Sequence, residues 1–412
     1  MPQQQKTIAL LATLDTKGPE VEYVRECIER AGICARIIDV GVMGEPTVEP
    51  DISRAEVAAA GGIPLTELRS VANREQAAPA MMAGACRVMA DLVARDEVHA
   101  VLSLGGTQGT TLCTAVMRTL PYGFPKIMVS TMASGNVAQW VDTKDITMMY
   151  SVTDILGLNR FMRKILANAA AAACGMARVE LPVELAVKPL VGVTTVGITT
   201  QGAMTAIKVL ENAGYEAVVF HAVGTGGRAM EEMMRQGLID GVLDLATIEV
   251  SNEMHHALLA SGPHRLTVAG KLGVPQVICP GAVEVLVFNE PETVPEKFRE
   301  RRLVRHSPQI TDLRLNREEM IDVGREVARR LQATTDEAVC LIPTAGYDSY
   351  AVEGGPFYDP AADRAFVTEL RAGLPKNIRL LERDADINDP AFATEAAETL
   401  VTLMRRKAGA MR

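Results

Sequence analysis

The chain has 412 residues, of which 48% are hydrophobic, 23% charged and 4% aromatic, and it carries a formal charge of −9. This length exceeds one ordinary core and fits two domains, and the composition excludes a disordered chain. The acidic balance, without a Lys/Arg-rich arm, excludes the electrostatics of nucleic-acid binding.

The amino-terminal "MPQQQKTIALLATLD" lacks the charged-then-apolar profile of a signal segment, so a cytoplasmic protein is expected. "TIALLATL" reads as a first strand and "EVEYVRECIERAG" as a helix, with Val21, Val24 and Ile28 at helical spacing and Gly32 ending it. "ARIIDVGV", "VHAVLSLGG" and "PKIMVSTMASG" are the next strand-plus-loop units. "ILANAAAAACGMA", Ile165 to Ala177, is too short for a membrane span, which needs roughly 20 residues; it reads as a close-packed buried helix, and no membrane partner is expected. The seven cysteines are scattered and include no C-x-x-C pair, as expected of reduced thiols.

Pro182 and Pro189 interrupt both helix and central strand, which sets a domain boundary between residues 183 and 184. "LVGVTTVGITTQGAMTAIKVLENAGYEAVVFHAVG" then repeats the opening strand, hydroxyl-rich loop, helix, "AG" cap and strand; a true internal repeat and two solutions to one packing problem both explain it. Strands "PQVICPG" and "AVCLIPTAG" and helices near Arg317 to Leu331 and Pro360 to Ala372 follow. The fold class expected is α/β: two Rossmann-like doubly wound domains, residues 1–183 and 184–412, with mainly parallel sheets and an interdomain cleft.

In open parallel sheets, ligands sit outside the carboxyl ends of the strands. The loops there in the first domain are "TLDTKG", "GGTQGT" and "STMASGN". They supply backbone donors from Gly105, Gly106, Gly109 and Gly135, hydroxyls from Thr16, Thr107, Thr110 and Ser134, a cation at Lys17 and a carboxylate at Asp15. This reads as a phosphate cradle in which Asp15 holds magnesium and Asp39, at the end of the second strand, meets a ribose hydroxyl. The loop has neither the Lys of a Walker A motif nor a full G-x-G-x-x-G, which disfavours a nicotinamide enzyme.

In the second domain, "HAVGTGGRAMEEM" offers Gly224, Thr225, Gly226, Gly227 and Arg228 to an anionic substrate, with Arg228 in the first turn of a helix, where a cation is dipole-unfavourable unless it meets an anion or Glu231 or Glu232. His221, Glu249 and His306 are the candidates for proton transfer. "EMHH" lacks the H-E-x-x-H spacing, so zinc chemistry is not expected.

In this order, "LATLDTKG", "SLGGTQGTTL", "LPYGFPKIMVSTMASGN", "MMYSVTDILGLNR", "VFHAVGTGGRAMEEM", "PQVICPGAVEVLVF" and "INDPAFA" resemble the Tm-one-like ATP-binding domain family, whose members are similar to the amino-terminal half of a tomato tobamovirus-resistance protein. The resemblance covers nearly the whole chain. It implies two Rossmann-like domains, ATP and Mg2+ as ligands, a homodimer, and the company of a barrel-type metabolic enzyme. Ser307, where the family has Asn, and "PTAGYDSYAVEGGPF" depart from the pattern. The function expected is ATP binding coupled to phosphoryl or adenylyl transfer onto a small organic acid; the alternative is a non-catalytic, nucleotide-gated regulatory subunit.

Overall fold

A computed structural model describes residues 5–70, 74–180 and 188–410. The chain divides into two compact units, Met1–Glu184 and Leu185–Arg412; the expected 183/184 boundary and Pro182 lie outside the described residues.

The first unit is built on β1 (Thr7–Ala12), β2 (Cys34–Asp39), β3 (Ala100–Gly105), β4 (Lys126–Ser130) and β5 (Thr147–Tyr150), in the order β2-β1-β3-β4-β5. All four pairings are parallel. Period-two alternation sends Ile8 and Leu10 to one face with Val21, Val24 and Ile28 of the helix Leu14–Arg30 and Leu166, Ala169 and Ala173 of the helix Arg160–Ala177. Ala9, Leu11 and Val101 face the other way, under the helices Arg54–Gly61, Arg74–Ala94 and Thr107–Thr119. The Ile165–Ala177 stretch is thus helix, with Leu166, Ala169, Ala170 and Ala173 buried. Ala77–Ala94 is long and apolar enough to cross a membrane by length and composition; here it covers the sheet with Met81, Ala85 and Met89 fully buried.

"TLDTKG", read as a loop, is helical from Leu14 onward. Gly18 and Pro19 look like breakers in sequence. Pro19 is nevertheless inside the helix, and Gly18 is required because a Cβ there would strike the Thr47 hydroxyl of the loop folded over it.

The second unit has β6 (Leu190–Thr195), β7 (Glu216–His221), β8 (Gly241–Ala246), β9 (Gln276–Gly281), β10 (Val285–Phe288), β11 (Leu303–Ser307), β12 (Ile310–Arg314), β13 (Ala338–Pro343) and β14 (Ile378–Arg383). Its main sheet runs β14-β13-β9-β8-β6-β7, all parallel. Numbered within each parallel sheet, both therefore share the order 2-1-3-4-5, the second adding a sixth strand. A three-stranded antiparallel sheet, β10-β12-β11, was not expected from the sequence; Pro308 and Gln309 turn its β11–β12 hairpin.

The helix Arg74–Ala94 approaches Arg54–Gly61 so closely that a Cβ at Gly84 would collide with the Val57 carbonyl oxygen, and one at Gly61 with that of Ala80. Gly84→Val is expected to destabilise the first unit by about 1–3 kcal/mol through overpacking. Gly175→Ala, at a helical site with open space, is expected to stabilise it by about 0.5–1 kcal/mol. Urea unfolding of the three proteins side by side checks both signs.

Candidate functional site

The reversal of strand order between β1 and β3 opens a crevice at their carboxyl ends. A cavity of about 520 Å³ lies there, lined by Thr13, Asp15 and Thr16 after β1, Gly41 to Met43 after β2, and Thr107, Gln108 and Gly109 after β3. Ala77, Ala78, Met81, Met82 and Leu112 supply an apolar wall.

The helix Thr107–Thr119 begins at this cavity. Its N-cap, Gly106, supplies no side-chain cap, and no acidic residue occupies its first turn. Its first N–H groups and the positive end of its dipole are therefore available to an anion. The helix Leu14–Arg30 also starts here, but Asp15 lies in its first turn, and the Leu14 N–H donates to Asp39 Oδ1 at 3.2 Å.

Asp39 is fully buried, and Oδ1 also accepts the Gly41 N–H at 2.9 Å. Burial pushes its pKa up, against those two backbone donors and the charge of Arg54. It is not among the residues lining the cavity, so the carboxylate expected at a ribose instead ties the β1 and β2 loops together. Lys17 Nζ donates to the Ile155 carbonyl rather than lining the cavity. Thr110 is buried, its Oγ1 2.6 Å from Ser130 Oγ and bonded to the Gly106 carbonyl. Ser134 and Gly135 are exposed on a loop away from the lining, and Gly105 packs against Gly109. Of the expected cradle, Asp15, Thr16, Thr107 and Gly109 line the cavity, with Gly106 immediately before Thr107. Asp15 Oδ2 accepts the Gly44 N–H at 3.0 Å, which latches the loop after β2. Sequence reasoning missed Met43, Met81 and Met82; the Met-rich "PAMMAGACRVM" run was a signal for Met81 and Met82.

The glycine loop after β7 meets a different fate. Glu249 is fully buried, and its Oε1 accepts the Gly224 N–H at 2.7 Å and the Gly227 N–H at 3.0 Å. Gly224 is left-handed at φ +87°, and a Cβ at Gly226 or Gly227 would strike the His221 carbonyl or the Glu249 carboxylate. At Gly224 and Gly227, expected as substrate contacts, the anion at this helix terminus is thus the protein's own side chain. Arg228 Nε donates back to the Gly224 carbonyl at 3.3 Å, and Thr225 is the first helical residue.

Glu249 Oε2 accepts from Arg265 Nε at 2.6 Å, and the Arg265 guanidinium also binds Asp244. Burial opposes the Arg265 charge, but Asp244 and Glu249 hold its pKa above the usual value. Glu231 accepts the Leu266 N–H at 2.8 Å, and burial pushes its pKa up to about 7. Glu249, expected as a proton-transfer candidate, here ties the glycine loop to Arg265.

His221 and His306 do converge. Both line a cavity of about 200 Å³ at the crevice between β6 and β8, with Gly197, Ile198, Val223, Ile248, Val285, Val287 and Asp312. His306 on β11 places Nδ1 3.6 Å from Asp312 Oδ2 on β12 and 3.3 Å from the Tyr350 hydroxyl. Burial pushes the Asp312 pKa up to about 6, the His306 charge pulls it down, and Asp348 adds to the rise. Sequence reasoning missed Asp312 and Tyr350; the turn-forming "SPQ" between "LVRH" and "ITDL" was the signal for a hairpin pairing them with His306.

Residues 6–182 match the N-terminal domain, and residues 188–404 the C-terminal domain, of an uncharacterised protein family, UPF0261. A UPF0261 protein of Clostridium tetani is 40% identical over 402 residues, covering 97% of this chain and 100% of that protein. One of Rhizobium meliloti is 42% identical over 393 residues, covering 95% and 97%. The ToMV resistance protein Tm-1(GCR237) of Solanum lycopersicum is 33% identical over 320 residues, which are 76% of this chain and 42% of the plant protein.

Arg265→Met strands Asp244 and Glu249 as unpaired buried carboxylates and is expected to cost about 3–5 kcal/mol in urea unfolding. In the fold, Glu231 keeps its proton between its ordinary value of 4.5 and about 7, where the unfolded chain releases it. Its stabilising contribution is therefore complete below the lower value and lost as pH rises through the upper one. Unfolding midpoints measured across that interval are expected to fall less steeply with pH in Glu231→Gln than in the wild type.

Proposed function

This chain belongs to the uncharacterised protein family UPF0261, and we propose that its N-terminal unit binds ATP with magnesium in the cavity between the β1 and β3 loops. One observation carries the reading: the uncapped helix Thr107–Thr119 opens, with no acidic first-turn residue, onto a cavity of about 520 Å³ with an apolar far wall. Phosphate oxygens suit the N–H groups at Thr107, Gln108 and Gly109. The polarisable thioethers of Met43, Met81 and Met82 suit the face of a base. Magnesium commonly takes one or two carboxylates and fills its shell with phosphate oxygens and water. Asp15, flanked by the Thr13 and Thr16 hydroxyls, is the carboxylate on this lining and the residue that would hold the ion.

For the whole chain, the activity proposed is phosphoryl or adenylyl transfer onto a small organic acid. A second reading, a nucleotide-gated regulator that binds without turnover, draws support from the same lining: its described residues include no Lys, Arg or His. Enzymes of phosphoryl transfer usually place such a cation on the developing charge.

Gly109→Val separates these possibilities from a misplaced site. A Cβ at Gly109 makes only ordinary contact with the Leu104 carbonyl, so the fold should survive. Isothermal titration of ATP with and without magnesium is expected to show magnesium-dependent binding by the wild type, at least about tenfold weaker in the variant, as for a lost charge-assisted hydrogen bond. Equal binding by both would remove the nucleotide from this cavity, and no binding by the wild type would end the reading. ATP consumption with candidate acids then separates enzyme from regulator.

A further inference from the structure

The second cavity occupies, in its own sheet, the topological place that the first occupies in its sheet, but it is built for a different ligand. At about 200 Å³ it is less than half the size of the first. Its walls are largely hydrocarbon, from Ile198, Ile248, Val285 and Val287 among others. Its charged and titratable lining consists of His221, His306 and Asp312, with no Lys or Arg among the described residues. A phosphorylated metabolite would bring two negative charges into an apolar chamber already holding the Asp312 carboxylate, where unpaired charge is costly.

We propose that this cavity binds a compact monocarboxylate, its carboxylate received by His221 and His306 and its hydrocarbon body by Ile198, Ile248, Val285 and Val287. Both imidazole rings line the chamber as polar partners for the ligand carboxylate, and Asp312 stands beside the His306 ring. Asp312 and the Tyr350 hydroxyl both lie at His306 Nδ1, at 3.6 and 3.3 Å, which leaves Nε2 as the ring nitrogen for the ligand. Asp312 is only 4% exposed, so it anchors the ring rather than competing in solvent. In the neighbouring glycine loop, Glu249 already takes the Gly224 and Gly227 N–H groups.

The titratable groups facing the ligand are His221 from the end of β7, His306 from β11 and Asp312 from β12, with the Tyr350 hydroxyl on the far side of the His306 ring and Asp348 acting on Asp312. Burial pushes the Asp312 pKa up to about 6, so its negative charge, which repels the ligand carboxylate across the chamber, is progressively lost as pH falls from about 8 to about 6, and binding tightens.

This inference deepens the proposal of an organic acid as the second ligand and does not depend on ATP binding. Isobutyrate is the probe and isobutyramide its neutral isostere, each titrated at millimolar concentration into the full chain by saturation-transfer NMR. Isobutyrate is expected to bind saturably, more tightly near pH 6 than near pH 8, and at least about tenfold more tightly than the amide, as for one lost charge-assisted contact. His306→Gln, at a half-exposed side chain, is expected to lose a similar factor, and Ile198→Trp to abolish binding by filling the chamber. Equal affinity for acid and amide, binding that survives Ile198→Trp, or no binding by the wild type would each overturn the proposal. ATP titrated into the same samples keeps the two readings apart: ATP binding without isobutyrate binding refutes this inference alone, and the reverse refutes only the nucleotide.

Discussion

Backbone N–H groups gather at the carboxyl edge of every parallel sheet, because each strand ends in a loop that starts a helix, and each group must find an acceptor. In this protein, buried carboxylates meet that demand at several loops, of which three stand after strands or at helix starts. Asp39 takes the Leu14 and Gly41 N–H groups, Glu249 takes those of Gly224 and Gly227, and Asp348 takes those of Tyr350 and Ala351. The start of the helix Thr107–Thr119 differs, with neither a side-chain cap nor a first-turn carboxylate. At the other three loops, the backbone donors are thus already met by the protein's own carboxylates.

The buried carboxylates impose a second constraint. Glu249 is tolerable at zero exposure because Arg265 reaches it and Asp244 together, and Arg265 is itself sealed by them. Breaking such a set costs more than the set contributes, since each member is buried on the strength of the others. Behind the second cavity, Glu284 and Asp348 are both fully buried beside Arg314, and burial raises both pKa values, Glu284 most strongly. These networks tie the loops from beneath through hydrogen bonds to backbone N–H groups.

Both units place a cavity at the same reversal of strand order, yet the chemistry differs with what closes over it. In the first unit the cover is the Met- and Ala-rich face of the helix Arg74–Ala94, and the polar side is helix backbone. In the second, the antiparallel β10-β12-β11 sheet brings His306 and Asp312 over the crevice, and the polar side is imidazole and carboxylate. A shared scaffold with different covers makes the second unit a site of its own rather than a copy of the first.

The sequence by itself determined the α/β class, the succession of strands and helices, and the identity of the glycine-rich loops. Those features are local: apolar periodicity, helix-ending glycines and turn residues act over a few positions. It also nominated His221 and His306, which share a cavity 85 positions apart in sequence for a reason no local pattern carries: β7 and β11 are brought together by the β6–β8 crevice and the hairpin packed on it. Only the tertiary structure decided that Asp39 and Glu249 face inward, that Lys17 is held by a carbonyl at Ile155, and that Asp312 and Tyr350 stand behind His306. A carboxylate or a cation looks the same in sequence whether it meets a ligand or a buried N–H, because the difference lies in long-range burial and in which partner arrives from another strand.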